Sequence, residues 1–229
     1  MLWLLPIALA SPDDLAIAEA DRGLVIGRGN LAAGADAGVF LAGDALVPQL
    51  AVPVRYGVTD GLEVFAGPQL QTEEPRLRDP ALGAALRFTD GTVEAGLRLS
   101  SDLAVFGADK VASVEVGLPA RVHVGRVAVD TGFFARFGVV GDEVATYRAP
   151  VDLRVSAADR MAVTVGSGIV VAGTPEAGAS APLRAGGSLT LARHDEPWLE
   201  LGAAAAWSDV QALDALGVAA TARWYLARS

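Results

Sequence analysis

Residues 49–70 read QLAVPVRYGVTDGLEVFAGPQL and carry the pattern that decides the fold. Apolar residues alternate with polar or small residues on both sides of a turn that contains Asp60 and Gly61. Because side chains along a strand point to opposite faces with a period of two, this alternation predicts two paired strands. Asp-Gly is also a strong hairpin signal, since glycine adopts positive φ without steric cost. One face of the predicted hairpin is almost wholly apolar, and the other carries Arg55 and Glu63.

The chain is rich in apolar residues, but their order does not predict a transmembrane helix. Of the 229 residues, 52% are hydrophobic, and the mean hydropathy is +0.39. After the N-terminus there is no uninterrupted apolar run of the roughly 18 residues that a transmembrane helix requires. The apolar residues are instead dispersed by alternation. The net charge of −9 argues against nucleic acid as a partner, and the absence of cysteine excludes disulfides and thiolate metal sites.

The N-terminus divides into two predicted segments. Residues 1–10, MLWLLPIALA, have the apolar core and the small residues Ala8 and Ala10 expected of a signal peptide. The segment is short and lacks a positive start, so an ordinary apolar N-terminus or a misplaced start codon is the alternative. Residues 11–32 are predicted to form a periplasmic arm or plug, in which residues 24–26 are a candidate short strand.

Residues 33–229 are predicted to form the barrel, because the period-two pattern repeats along them as twelve strands. Most predicted strands have 9 to 14 residues, close to the ~9–11 that a tilted strand needs to cross a bilayer. Strands of soluble proteins average about 5–6 residues. The predicted strands are residues 34–43, 48–57, 61–70, 81–89, 92–100, 111–124, 127–138, 146–156, 161–172, 183–193, 198–207 and 215–227.

The connections between these strands alternate between short turns and mostly longer links. This alternation is typical of outer-membrane barrels, which have short periplasmic turns and longer external loops. We therefore predict an all-β, antiparallel, up-and-down transmembrane β-barrel in a bacterial outer membrane, with the lipid bilayer as partner. The even strand count places both termini in the periplasm. The alternative is a soluble β protein whose apolar face is its core.

Nearly every charge within a predicted strand falls on the face opposite the apolar one. A charge on the lipid face would cost a few kcal/mol near the middle of the bilayer, so these residues are predicted to face the lumen. The lumen-facing candidates are Arg55, Glu63, Arg87, Glu94, Arg98, Glu115, Arg121, His123, Asp130, Arg136, Arg148, Asp152, Arg154, Arg184, Glu200 and Arg223. Glycine and alanine fill many of the remaining inward positions and leave space.

Two functional interpretations follow from this polar face. In one, the basic wall lines a narrow, water-filled, porin-like channel that passes small solutes and favours anions. In the other, pairs such as Arg55 with Glu63 and Arg87 with Glu94 brace a closed barrel. Such a barrel would be a non-conducting structural or surface-interaction protein.

The sequence offers no catalytic, cofactor or metal site. The chain has two histidines. His123 is predicted to face inward near Asp130 and Arg121, but no serine is placed beside it to complete a nucleophilic triad. His194 is predicted to be a solvated turn residue. Two histidines without cysteines or clustered carboxylates do not make a transition-metal site, and we expect no enzymatic activity.

The segment from Pro53 to Gly67, PVRYGVTDGLEVFAG, resembles the repeated hairpin of Gram-negative outer-membrane barrels. It is similar in particular to the phenol meta-cleavage pathway type of outer-membrane transporter, in which an R-Y-G-x-T-D-x-L-E hairpin recurs. Residues 86–94, LRFTDGTVE, echo the pattern. The resemblance implies a Gram-negative outer-membrane barrel that the barrel-assembly machinery inserts. It implies little about the solute.

Overall fold

The computed structural model describes residues 22–42, 45–71, 76–103, 111–139, 145–173, 178–193, 196–209 and 215–226. The predicted signal peptide, residues 11–21 of the predicted arm, and His194 lie outside the described residues. Among the residues described, no helix is long and apolar enough to cross a membrane.

The described residues form fourteen strand segments, which run antiparallel to their neighbours. They are β1 (Leu31–Ala42), β2 (Ala45–Ala51), β3 (Val54–Thr59), β4 (Leu62–Gln71), β5 (Arg76–Thr89), β6 (Val93–Asp102), β7 (Ser113–Val124), β8 (Val127–Gly138), β9 (Thr146–Ala158), β10 (Met161–Ala172), β11 (Ala179–Ser180), β12 (Leu183–Arg193), β13 (Glu196–Trp207) and β14 (Ala215–Leu226).

The sheet closes on itself between its first and last strands. β1 pairs with β14 over its whole length, from Leu31 opposite Leu226 to Ala42 opposite Ala215. β2 and β3 are two halves of one strand, because both pair with β1 and with β4. β11 pairs with the end of β10 and precedes β12, which pairs with the same strand, so β11 is a short extension of β12. The described segments therefore make a closed, twelve-stranded antiparallel barrel, which confirms the predicted fold class and strand number.

Proline explains one departure from the predicted strands. The strand predicted at residues 48–57 begins at residue 45 and divides between Ala51 and Val54. Pro53 has no N–H group and cannot donate to the ladder. The carbonyl of Pro53 nevertheless accepts a bond of 2.8 Å from the Gly34 N–H, so the broken strand stays attached to β1.

Several strand ends differ from the prediction by one to three residues, and three further assignments were wrong. Residues 76–80, assigned to a loop, belong to β5 because their backbone pairs with the end of β4, although their charged and proline-containing sequence hides the strand pattern. Residues 179–180 form β11 within a predicted loop. Residues 24–26 do not form a strand, because the partners of their backbone groups are side chains of the barrel wall.

The two faces of the barrel differ as the alternation predicts. The outward face is apolar and exposed, for example at Leu82, Leu99 and Val165. Tyr147 lies outward between two phenylalanine rings, 6.2 Å from the ring centre of Phe133 and 6.4 Å from that of Phe137. The predicted lumen-facing charged side chains, by contrast, are buried or partly buried. Below, the end of the barrel with the tight connections, such as Asp60–Gly61 and Gly125–Arg126, is called the turn end, and the opposite end the loop end.

Candidate functional site in the barrel lumen

Residues 22–27, here called the N-terminal segment, precede β1 and lie inside the barrel near its turn end. Leu24, Val25 and Ile26 are buried, and Ile26 is completely inaccessible to solvent. The Leu24 N–H donates to Glu94 Oε2 at 2.5 Å, and the Ile26 N–H donates to Glu63 Oε2 at 2.9 Å. Buried backbone donors need partners, and here carboxylates of the wall replace a sheet neighbour.

Arg22 anchors the start of this segment on the far side of the lumen. Its guanidinium forms an ion pair with Glu200 on β13 and donates to the hydroxyl oxygens of Tyr225 (2.9 Å) and Thr190 (3.0 Å). The guanidinium of Arg121 on β7 donates to the Arg22 carbonyl and, at 3.2 Å, to the Gly23 carbonyl. The segment therefore crosses the lumen and is bonded to opposite parts of the wall.

Near this segment, single carboxylates are shared by two cationic side chains. Asp130 accepts from Arg121 Nη2 at 2.8 Å and from Arg154 Nε at 2.6 Å. Glu200 pairs with Arg223 at 3.2 Å as well as with Arg22. Because a carboxylate has about four acceptor sites, one acid can hold two guanidinium groups and limit the cost of burying all three.

Another such carboxylate, Glu94, lies 3.8 Å from Arg87 and 3.5 Å from His123 Nε2. His123 was predicted to face inward near Asp130 and Arg121; in the structure it lies two residues from Arg121 on β7, and Arg121 is the ladder partner of Asp130.

Closer to the loop end, most arginines are held in one-to-one pairs between different strands. Arg136 lies 2.7 Å from Asp102, and Arg184 Nε donates to Asp152 Oδ1 at 2.6 Å. Arg148 pairs with Glu115. These contacts fix the long arginine side chains along the wall, which leaves the centre of the lumen less obstructed than free side chains would.

Arg98 on β6 differs from these arginines. Within the described residues, no carboxylate or other acceptor lies within hydrogen-bonding distance of its guanidinium, and its Nε is buried without a partner. Its guanidinium carbon lies 4.2 Å from the ring centre of Phe65. This cation–π contact holds the guanidinium in place but does not neutralise its charge.

Two glycines make room for the aromatic rings beside this arginine. Phe65 lies opposite Gly83 in the ladder, and a Cβ at Gly83 would lie 2.3 Å from Phe65 Cζ. Phe134 lies opposite Gly117, where a Cβ would lie 2.2 Å from Phe134 Cδ1. Both rings therefore occupy the space that a side chain would take at a glycine of the neighbouring strand. Gly117 is also the ladder partner of Arg98, so Phe134 covers the position next to Arg98.

A cavity borders the N-terminal segment at Leu24. It has about 750 Å³ of empty space, which includes solvent at its open side. Its lining contains five arginines and four carboxylates. The charged lining residues are Arg55, Arg98, Arg148, Arg154, Arg184, Glu63, Glu115, Asp130 and Asp152. Phe134, Pro119 and Pro150 contribute apolar surface. The lining combines apolar surface with a few oriented charges, as in sites that bind small molecules.

None of the predicted lumen residues is exposed in the structure, and the tight pairs Arg55–Glu63 and Arg121–Asp130 each connect neighbouring strands of one hairpin. The sequence analysis missed Arg22, Asp36, Phe65, Phe134 and Tyr225. Phe65 is two residues from Glu63 and so shares its inward face, and Asp36 is a charged residue within a predicted strand. The alternation could therefore have identified both as lumen residues. Asp36 Oδ1 is buried without a partner in the described residues. The same residues contain no cluster of metal-binding side chains.

Comparison with solved structures supports the architecture. The COG4313 outer membrane channel from Pseudomonas putida F1 matches with a TM-score of 0.64 and 12% identity, over 98% of this chain and 100% of that one. The KdgM porin matches with a TM-score of 0.60 and 9% identity, over 83% and 98%. The translocator domain of the autotransporter NalP from Neisseria meningitidis matches with a TM-score of 0.50 and 13% identity, over 88% and 89%.

The fold is that of an outer-membrane β-barrel. No protein-family profile matches the sequence, and no curated protein is significantly similar to it.

We expect Gly117→Ala to destabilise the barrel by about 1–3 kcal/mol, because the new methyl group overlaps the Phe134 ring. Gly67→Ala is the matched control. Gly67 lies on an inward position of β4, and a Cβ there meets no atom within 4 Å. Urea unfolding of both variants in lipid vesicles, followed by tryptophan fluorescence, measures the difference. Equal stability of Gly117→Ala and Gly67→Ala would contradict the close packing described.

We expect Arg121→Met to lower the free energy of unfolding by about 3 kcal/mol, since it breaks a buried ion pair and two bonds to the N-terminal segment. Arg98→Met should change it by less than about 1 kcal/mol, because the lost cation–π contact is offset by removal of an unpaired charge. Arg126→Met, which removes an exposed pair with Asp159, is the control and should also cost less than about 1 kcal/mol. A loss at Arg98 as large as at Arg121 would show that Arg98 is also paired.

Proposed function

We propose that this chain is a bacterial outer-membrane barrel that acts as a narrow passive channel for small anionic solutes. The observation that carries the proposal is the cavity in the lumen, whose lining includes Arg98, an arginine without an acidic partner among the described residues. The chain as a whole has a net charge of −9, yet the charged lining of this cavity has one more arginine than carboxylates. A basic constriction lowers the barrier for anions and raises it for cations.

The part of the wall formed by β12–β14 supports the channel interpretation, because its small side chains leave space in the lumen. Gly186, Gly202, Ala204 and Ala219 occupy inward positions of β12–β14, in phase with the inward residues Arg184, Glu200 and Arg223. A wall of small residues facing a wall of arginines and aromatic rings gives an asymmetric passage. At the level of these small residues, solutes would meet charged side chains mainly on the other wall.

The remaining parts of the proposal rest on the apolar outer face and on the hairpin resemblance. They are insertion by the barrel-assembly machinery, a cleaved signal peptide, periplasmic termini, and membership of the phenol meta-cleavage type of transporter in a Gram-negative bacterium. The proposed channel is not an enzyme and uses no cofactor.

A second candidate function is a non-conducting barrel, and the N-terminal segment favours it. Its bonds to Glu63, Glu94 and Glu200 connect β4, β6 and β13 across the lumen. In this conformation the turn end of the lumen is narrowed by buried backbone. The two candidates differ in whether the segment leaves enough room beside it, or moves enough, for a solute to pass.

Single-channel recording of the refolded protein in a planar lipid bilayer separates the two candidates. Discrete current steps in potassium chloride and potassium acetate are expected for the channel. Stable insertion without current steps, shown by protease resistance of the inserted barrel, would contradict the channel and leave the non-conducting barrel.

We expect Arg22→Ala to increase the open probability about ten-fold, because it removes charge-assisted bonds that hold the N-terminal segment across the lumen. Arg126→Ala, which alters an exposed arginine at the turn end, is the control and should behave as the unchanged protein. Identical currents from Arg22→Ala and the unchanged protein would show that this segment does not limit conduction.

A further inference from the structure

Among the described residues, the guanidinium of Arg98 has no acidic partner, although Arg98 lines the cavity. Of the acids that line it, Glu63 is engaged by Arg55 through bonds of 2.9 and 2.5 Å, and Glu115 is engaged by Arg148. Asp152 is held by Arg184. Each nearby carboxylate thus has its own guanidinium. Because burying a charge without a partner is costly, a guanidinium kept in this state requires an explanation.

A second unsatisfied donor lies close to Arg98. Arg55 lies directly opposite Phe65 in the ladder, and the ring of Phe65 reaches under the guanidinium of Arg98. Although Arg55 is paired with Glu63, its Nη1 is buried without an acceptor. Arg55 and Arg98 therefore lie on the two sides of Phe65 and both line the cavity. Arg55 and Arg98, each with a buried nitrogen that has no acceptor among the described residues, therefore flank Phe65.

We propose that Arg98, supported by Arg55 and Phe65, is a binding site for the carboxylate of a small organic monoanion. The guanidinium presents a planar fork of N–H donors that matches the two oxygens of a carboxylate. The ring of Phe65 fixes the plane of this fork. A bound carboxylate would supply the acceptor that Arg98 Nε lacks and would neutralise the extra charge of the cavity.

The charge balance and the lining favour a monocarboxylate over other anions. Among the charged side chains that line the cavity, arginines outnumber carboxylates by one, so one negative charge balances the lining, whereas a dianion would leave an excess beside Glu63 and Glu115. The ring of Phe134 and the rings of Pro119 and Pro150 line the cavity and offer apolar surface to the rest of such a solute. Chloride has neither the two oxygens nor an apolar part, so it should bind more weakly.

The role of this site in transport rests on the proposed channel, but its occupancy does not require conduction. The test therefore measures binding to the full chain in detergent micelles. ¹³C-labelled acetate is titrated against the protein at constant ionic strength, and broadening of the carboxylate signal reports the bound fraction. Saturable broadening that a tenfold excess of chloride does not abolish is the expected result.

Two variants and one control assign the binding to Arg98. Arg98→Gln should weaken acetate binding about ten-fold or more, because a charge-assisted pair is lost. Phe65→Leu should weaken it less, because the donors remain but their plane is no longer fixed. Arg126→Gln, an exposed arginine outside the lumen, should bind as the unchanged protein does. The shift in gel mobility on heating verifies that each variant is folded.

Absence of saturable binding, displacement by an equal concentration of chloride, or unchanged affinity in Arg98→Gln would each overturn the site. These failures are distinct from failure of the proposed channel. A barrel that binds acetate at Arg98 but gives no current would retain the site and lose the transport function.

Discussion

The pairing of guanidinium with carboxylate inside the lumen is the interaction on which the rest of this structure depends. A barrel in lipid must turn its polar face inward, and its interior then contains more charge than the available water can solvate freely. With the exception of Asp36, the described lumen carboxylates each lie within 4 Å of an arginine. Some pairs, such as Arg121–Asp130, join neighbouring strands, and others, such as Arg148–Glu115, connect strands on either side of a third one. Both kinds reinforce the register that the backbone ladder sets.

The same interaction explains how a short, irregular stretch of chain is held inside a barrel. The N-terminal segment has no sheet partner, yet its N–H groups reach Glu63 and Glu94 and its carbonyls reach Arg55 and Arg121. Wall residues thus serve two purposes, bracing the strands and satisfying the segment. Any movement of the segment would release carboxylates and guanidiniums that can pair with one another or with a solute. The width of the lumen at its turn end therefore depends on the charge pattern of its wall.

Much of the barrel could be predicted from the sequence, because period-two alternation is a local signal. The bounds of β8, β10 and β12 agree with the prediction to the residue. The pairing of Arg55 with Glu63 also agrees with the prediction, because only eight residues separate them within one hairpin. Prolines obscured the start of β5 and the break between β2 and β3, because a ladder from the neighbouring strands overrides an unfavourable local sequence.

Long-range contacts could not be predicted in this way. Arg22 and Glu200 are 178 residues apart, and Arg184 and Asp152 are 32 residues apart. Only the three-dimensional register brings them together. For the same reason the sequence placed Arg98 among many lumen arginines without showing that it alone lacks an acceptor in the described structure. The close packing of Phe65 against Gly83 could not be predicted either, because it depends on how β4 and β5 are aligned.

The central claim is that an uncompensated guanidinium in the lumen selects anions. The reversal potential of the open barrel across a potassium chloride gradient tests it most directly. The account predicts a potential of the sign given by chloride permeation, reduced in Arg98→Gln and unchanged in Arg126→Gln. A potential of the sign given by potassium permeation, or one that does not change when Arg98 is neutralised, would contradict it.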